Sequence, residues 1–271
     1  MALTTIGLMA LLGCFTGFMA GLLGIGGGMI ITPFLIMLIP SSLIPHEHIV
    51  HVAIATSLAT IAFTSLSSVR AHHKRGAVLW NVVASVAPGI LVGAVVGAQI
   101  AGWLPTFWLS LIFAAFVGFS AFKMFLNKSP RPDRNLPGTI GKFFMGIAIG
   151  ILSALVGAGG GFISVPWMIW CNVKMQNAVA TSAAFGFPIA LFGTIGYIIS
   201  GWNVSGLPPW PIDLGYICIP ALFSVAITSV LFAPLGAKVA HSIDTKPLKK
   251  IFACLLCFVC LYMIRQACLA M

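Results

Sequence analysis

Charge is what this sequence has least of. Of its 271 residues 7% are charged, and four are acidic: Glu47, Asp133, Asp213 and Asp244. A soluble domain of this size cannot cover its core with so few charges, which excludes that class. All four carboxylates lie at the ends of apolar runs or between them, so no carboxylate proton relay at mid-membrane depth is visible. Lys and Arg are absent before Arg70. A secretory signal peptide needs a basic start and a small-residue cleavage site, so the first apolar run reads as part of the mature protein. Long polar stretches are also missing, with one exception. KMFLNKSPRPDRNLPG, around 125–140, has the Pro, Arg, Lys and Asn content of a linker.

What remains is apolar: 60% hydrophobic residues and a mean hydropathy of +1.10. Apolar runs of about 20 residues or more recur at 4–39, 49–69, 80–102, 107–125, 140–171, 176–200, 212–240 and 248–268. They predict an all-α polytopic membrane protein; a barrel would show short alternating strands. A net charge of +10 could suit nucleic acid, but the basic residues sit between apolar runs, as cytoplasmic loops do. The expected partner is therefore a lipid bilayer and not nucleic acid. Cys254, Cys257 and Cys260 form one helical stripe with no His or carboxylate beside it. They read as small packing groups, and no metal or cofactor is expected.

One stretch occurs twice. GFMAGLLGIGGGMIITP at Gly17–Pro33 returns as GILSALVGAGGGFISVP at Gly150–Pro166. At an offset of 133, Gly17, Gly24, Gly26, Gly27, Gly28 and Pro33 fall on Gly150, Gly157, Gly159, Gly160, Gly161 and Pro166. Ala55-Thr56-Ser57 lines up with Ala180-Thr181-Ser182, Gly97-Ala98 with Gly236-Ala237, Phe113-Ala114 with Phe252-Ala253, and Pro88 can be set against Pro220. The chain thus divides into a first membrane repeat at 1–125, a cytoplasmic linker at 126–139 and a second repeat at 140–271.

Loop charge orients the repeats. If each of the eight runs crosses once, the basic residues divide nine against five between the two sides. If 4–39 and 140–171 instead turn back at their glycines, each half is a Gly-broken hairpin plus three crossings. The halves are then inverted, and 13 of the 14 basic residues share one side, with Arg265 the exception. The positive-inside rule favours this second arrangement, with both termini outside an inner membrane. The runs after the glycines, 28–39 and 162–171, have 12 and 10 residues. At about 1.5 Å per residue they reach half-way through the hydrocarbon, so a short second leg should start near the midplane.

A Gly-rich turn before a helix leaves amide N–H groups unpaired, and the helix dipole adds partial positive charge. That is an anion site. The candidate substrate-binding residues are Gly24, Gly26, Gly27, Gly28, Gly157, Gly159, Gly160 and Gly161. Thr56, Ser57, Thr181 and Ser182, early in the crossings that follow, have two readings. They donate to the anion, or they bond their own helix carbonyls or pack between helices. Gly17 and Gly21, as Gly-x-x-x-Gly, also fit close helix packing. Trp167 follows the second break and is a candidate wall of the site. His51 is the ionisable group nearest to Thr56, either a proton sensor or, with His46 and His48, part of an external surface. Lys174 either draws anions to the inner mouth or sets orientation. Trp80, Trp103, Trp108, Trp202 and Trp210 read as interfacial anchors.

On GLLGIGGGMIITP, ALVGAGGGFISVP, the Ala-Thr-Ser steps and the two halves of about four apolar runs, the chain resembles the sulfite exporter TauE/SafE family over nearly its whole length. That resemblance implies a permease, commonly an exporter, for sulfite, sulfoacetate or other organosulfonates. It carries over to Gly24–Gly28 with Pro33 and to Gly157–Gly161 with Pro166, and less firmly to the Thr-Ser pairs. The residues themselves ask only for a small anion. The expectation is a secondary transporter working by alternating access, not an enzyme, since no nucleophile and base share a depth. An anion channel and an anion-binding receptor subunit without transport are the alternatives.

Overall fold

The computed structural model of the chain describes residues 3–24, 27–39, 44–126, 135–202, 204, 207, 214–240, 242 and 246–270. The apolar runs form helices, and the two long runs each break into a pair. Among the described residues the helices are α1 (Leu3–Leu23), α2 (Gly28–Leu38), α3 (Ile49–His73), α4 (Trp80–Trp103), α5 (Thr106–Leu126), α6 (Thr139–Val156), α7 (Gly161–Trp170), α8 (Met175–Gly201), α9 (Ile219–Ala240) and α10 (Lys246–Leu269). Eight are long and apolar enough to cross a membrane, and α2 and α7 are too short to do so. The described residues hold no strand, only an isolated bridge between Leu214 and Ile217. The fold is the all-α polytopic one that the composition predicts.

Small residues decide how the helices meet. In lipid there is no hydrophobic drive between helices, so close backbone contact and interhelical hydrogen bonds hold them together. Gly13, Gly17 and Gly21 of α1 lie against Val225, Ser229 and Ala233 of α9, so closely that a Cβ on any of them would overlap the opposing backbone. Gly89, Gly93 and Gly97 of α4 do the same against Phe143, Ile147 and Ile151 of α6. Gly17 and Gly21 are therefore packing residues. The centre is α3 crossing α8, and α3 buries Thr56, Ser57, Thr60, Thr64, Ser65 and Ser68 there. Faces turned outward are apolar, with Phe119, Phe223, Leu231 and Leu261 exposed.

The order of contacts gives helix direction. α1 and α9 run parallel, since the three glycines above meet their partners in sequence order. α3 runs with them: Thr56, Thr64 and Arg75 bond Cys218, Ser229 and Ala237. α4, α6 and α8 form a second parallel set, with Asn177 bonded to Ala77 and Gln99 to Gly196. The two sets oppose each other, because Leu58 of α3 meets Gly193 and Ser65 meets Gly186. Exchanging the halves turns the α1–α9 pair into α6–α4 and the α3–α9 pair into α8–α4, while α3–α8 and α5–α10 map onto themselves.

The bundle has two distinct ends. At one, Arg75 donates to the Ala237 carbonyl at 2.8 Å and Asn177 to that of Ala77 at 3.0 Å. This end gathers Arg70, Lys74, Arg75, Lys174 and Lys238. At the other, His51 Nε2 lies 3.0 Å from both the Ala101 and the Leu104 carbonyl, and Thr106 donates to the Glu47 carbonyl. His51 is 3% exposed and stacks on Tyr216 at 5.2 Å, so it is no surface residue, although His46 and Glu47 are exposed. Pro88 sits mid-way along α4 but Pro220 in the first turn of α9, so these two are not counterparts. Trp80, Trp103, Trp108 and Trp202 are exposed near helix ends. Trp210, Asp133, Asp213 and Asp244 lie outside the described residues.

Candidate functional site

Both glycine breaks have the same backbone design. Gly24 and Gly27 take φ of 68° and 75°; Gly157 and Gly160 take 62° and 76°. Two left-handed residues three apart end one helix and start the next, which glycine does without a Cβ penalty. Gly27 caps α2 and Gly160 caps α7 with no side-chain bond. The first helical bonds run from Ile30 and Ile31 to the Gly27 carbonyl, and from Ile163 and Ser164 to that of Gly160. The amides of Gly28, Met29, Gly161 and Phe162 precede those bonds and point out of the helix ends. Gly26 lies outside the described residues.

The half-helices start mid-way along the central pair. Gly28 lies beside Ile61 and Ser57 of α3, which spans Ile49–His73. Gly160 lies beside Ile189 of α8, which spans Met175–Gly201, and the Gly159 carbonyl lies near Gly186. The helices before the breaks run much further. Gly21 accepts from His72 at one end of the bundle, and Ala154 accepts from Tyr197 toward the other. Each break therefore carries the chain from near a bundle end back to its middle. α2 then leads toward the His51 end and α7 toward the basic end, so their N-termini both face the middle.

The two breaks touch. Gly28 packs on the Gly157 carbonyl so closely that a Cβ would overlap it. Ser57 donates to that carbonyl at 3.2 Å and lies 3.4 Å from the Gly28 carbonyl. Its counterpart Ser182 donates to the Gly24 carbonyl at 3.0 Å and accepts from Ser164 at 2.8 Å. Thr56 accepts the Cys218 amide at 2.9 Å, just before α9, and Thr181 accepts the Leu79 amide at 3.0 Å, just before α4. The four hydroxyls thus bond backbone of the opposite half. Spacing alone offered the ligand, the residue's own helix or packing between helices, and sequence distance does not show which distant backbone arrives.

Two residues at the breaks have no sequence signal. Thr32 Oγ1 and Ser153 Oγ are buried and have no hydrogen-bond partner among the described residues. A Cβ built on Gly157 would sit 3.0 Å from Thr32 Oγ1, and one on Gly160 3.2 Å from Ser153 Oγ. The repeat hides them, since the positions equivalent to Thr32 and Ser153 are Val165 and Ala20. Buried hydroxyls are normally paired, so each needs an explanation. Trp167 lies in the second turn of α7, half-buried against the core, and Lys174 is exposed at the start of α8. A cavity of about 530 Å³ opens at the His51 end, among His48, Thr106, Tyr216 and Gln266. Cys254 and Cys257 are exposed, while Cys260 donates to the Ala114 carbonyl of α5 at 3.3 Å.

Residues 9–263 match the family model described as "Sulfite exporter TauE/SafE". A "Probable membrane transporter protein" of Haemophilus influenzae is 34% identical over 96% of this chain and 98% of its own. A Bacillus subtilis protein, "Probable membrane transporter protein YdhB", is 30% identical over 69% of this chain and 76% of its own. A Methanocaldococcus jannaschii relative with the same description of probable membrane transporter is 27% identical over 95% and 94%. No solved structure matches. With eight membrane-length helices and these relatives, the chain is a multi-pass membrane transporter belonging to the sulfite exporter TauE/SafE family.

Proposed function

We propose that this chain is a secondary transporter built from two inverted repeats. It exports a small sulfur-containing anion, sulfite or an organosulfonate, across the inner membrane. The substrate sits between the two glycine breaks and is exposed to each side in turn as one half moves against the other. The observation that carries this reading is the pair of half-helices whose N-termini face the middle of the bundle. Each presents a positive dipole end to the same region, with first-turn amides that have no backbone partner among the described residues. Broken backbone at such depth survives only inside protein or beside a cavity, which is where α3 and α8 hold it.

The opposed directions of the two parallel helix sets support inversion, and so does the exchange of helix pairs between halves. The basic residues gathered at one end support placing that end in the cytoplasm. The family description supports the sulfur oxyanion. Counterflow in liposomes tests the function: purified chain, unlabelled sulfite inside, labelled sulfite outside. Saturable accumulation is expected, abolished by Gly160→Leu. Binding without flux would mean a receptor, and non-saturating flux a channel.

A further inference from the structure

We infer that the site between the breaks selects singly charged oxyanions over doubly charged ones, with Thr32 and Ser153 as the side chains that hold them. This rests on the proposed anion site. The inference begins with charge. No Lys or Arg occurs at 1–69, 76–122, 143–173 or 175–237, so no fixed cation stands beside either break. The described ionisable groups that approach are His72, bonded through Nε2 to the Gly21 carbonyl at 3.1 Å, and His51, bonded through Nε2 to the Ala101 and Leu104 carbonyls. Carbonyls only accept, so both rings donate through Nε2, and an imidazole is not a permanent charge. Tyr197 of α8 donates to the Ala154 carbonyl.

The positive charge available in the middle is therefore that of two helix N-termini, about half an elementary charge each. Their sum matches one negative charge and leaves a second uncompensated. The Born cost of taking an ion out of water rises as the square of its charge, roughly fourfold from monoanion to dianion. A site without a fixed cation cannot recover that difference.

The unpartnered hydroxyls complete the site. Thr32 is fully buried and Ser153 is 1% exposed. Each stands beside a left-handed glycine of a break, Thr32 by Gly157 and Ser153 by Gly160. A hydroxyl both donates and accepts. It can donate to a charged sulfonyl oxygen and can accept a hydrogen bond from the O–H of hydrogensulfite. Ser57, Ser182 and Ser164 are already engaged with one another or with glycine carbonyls, whereas Thr32 and Ser153 have no hydrogen-bond partner among the described residues. The two halves supply them from non-equivalent positions, so the site is asymmetric despite the repeat. The ligand class is hydrogensulfite or a sulfonate, R–SO₃⁻, and not sulfite or sulfate dianion.

Equilibrium binding of labelled sulfite to the detergent-purified full chain tests this across neutral pH, with competitors. Sulfite affinity should rise as falling pH converts the dianion to hydrogensulfite. Methanesulfonate should compete equally at every pH, and sulfate should not compete. His51→Gln and His72→Gln should keep this pH profile, because the titrating group is the ligand. Thr32→Val and Ser153→Ala should each weaken binding about tenfold or more, while thermal stability without ligand stays unchanged or rises, since an unpaired buried hydroxyl is removed. Competition by sulfate as strong as that of methanesulfonate would overturn the inference, as would unchanged affinity in both hydroxyl variants. Failure of sulfite and methanesulfonate to bind at all would instead overturn the anion site itself.

Discussion

Gly160 meets two demands at once. Its φ is 76°, and Ile189, Ile149 and Ser153 crowd the place a Cβ would take. Gly160→Ala should lower stability by about 1–3 kcal/mol, the usual cost of a non-glycine residue held in the left-handed region. Thermal unfolding in detergent reads this. Gly7→Ala is the contrast: it lies within α1 with no heavy atom within 4 Å, and should gain about 0.5–1 kcal/mol. Equal melting of Gly160→Ala and the natural chain would remove the backbone argument. The serines allow a similar comparison. Ser57→Ala deprives the Gly157 carbonyl of a donor from the other half, at a cost of about 1–3 kcal/mol. Thr60→Val keeps the buried side chain's shape and removes a bond to its own helix, at the Thr56 carbonyl, and should cost less. If the two variants melt alike, the cross-half bond contributes nothing special.

At the scale of elements, the half-helices were the most legible part of the sequence. A glycine cluster followed by 12 and 10 apolar residues predicted short second legs, and the structure has α2 at Gly28–Leu38 and α7 at Gly161–Trp170. The reach of the helices before them was not legible. Where a helix stops relative to its neighbours depends on what packs there, as Gly21 beside His72 shows. His51 is a second case. Its type and position suggested a surface group or a sensor, yet it joins α3 to the α4–α5 turn. Only the turn, arriving from 50 residues away, supplies the carbonyls of Ala101 and Leu104. His51→Ala should leave both carbonyls without that donor and loosen the turn. Hydrogen exchange should then quicken at the Leu104 and Thr106 amides and stay unchanged at 161–164. Exchange that is unaltered at the turn would deny His51 this role.

For the whole molecule, the proposed inverted arrangement makes a prediction about sides. In a background with the exposed Cys254, Cys257 and Cys268 replaced by Ser, Glu47→Cys should react in intact cells with a membrane-impermeant maleimide. Asn172→Cys should react only after permeabilisation. Asn172 labelled in intact cells would overturn the second hairpin and the direction assigned to the repeats. The same scale shows why doubling matters. A single Gly-rich break would supply one dipole end; two of them, brought into contact where α3 crosses α8, supply both to one region.

By itself the sequence determined the class of the molecule, its doubled plan, the two breaks and the short helices after them. Those follow from hydropathy, charge placement and backbone freedom, which are local properties. The tertiary structure decided which backbone the Thr-Ser pairs hold, that Gly28 rests on Gly157, and that Thr32 and Ser153 stand beside the breaks without a partner among the described residues. These depend on how the halves cross. A hydroxyl's partner is set by whichever distant carbonyl or amide is packed against it, and no residue spacing encodes that.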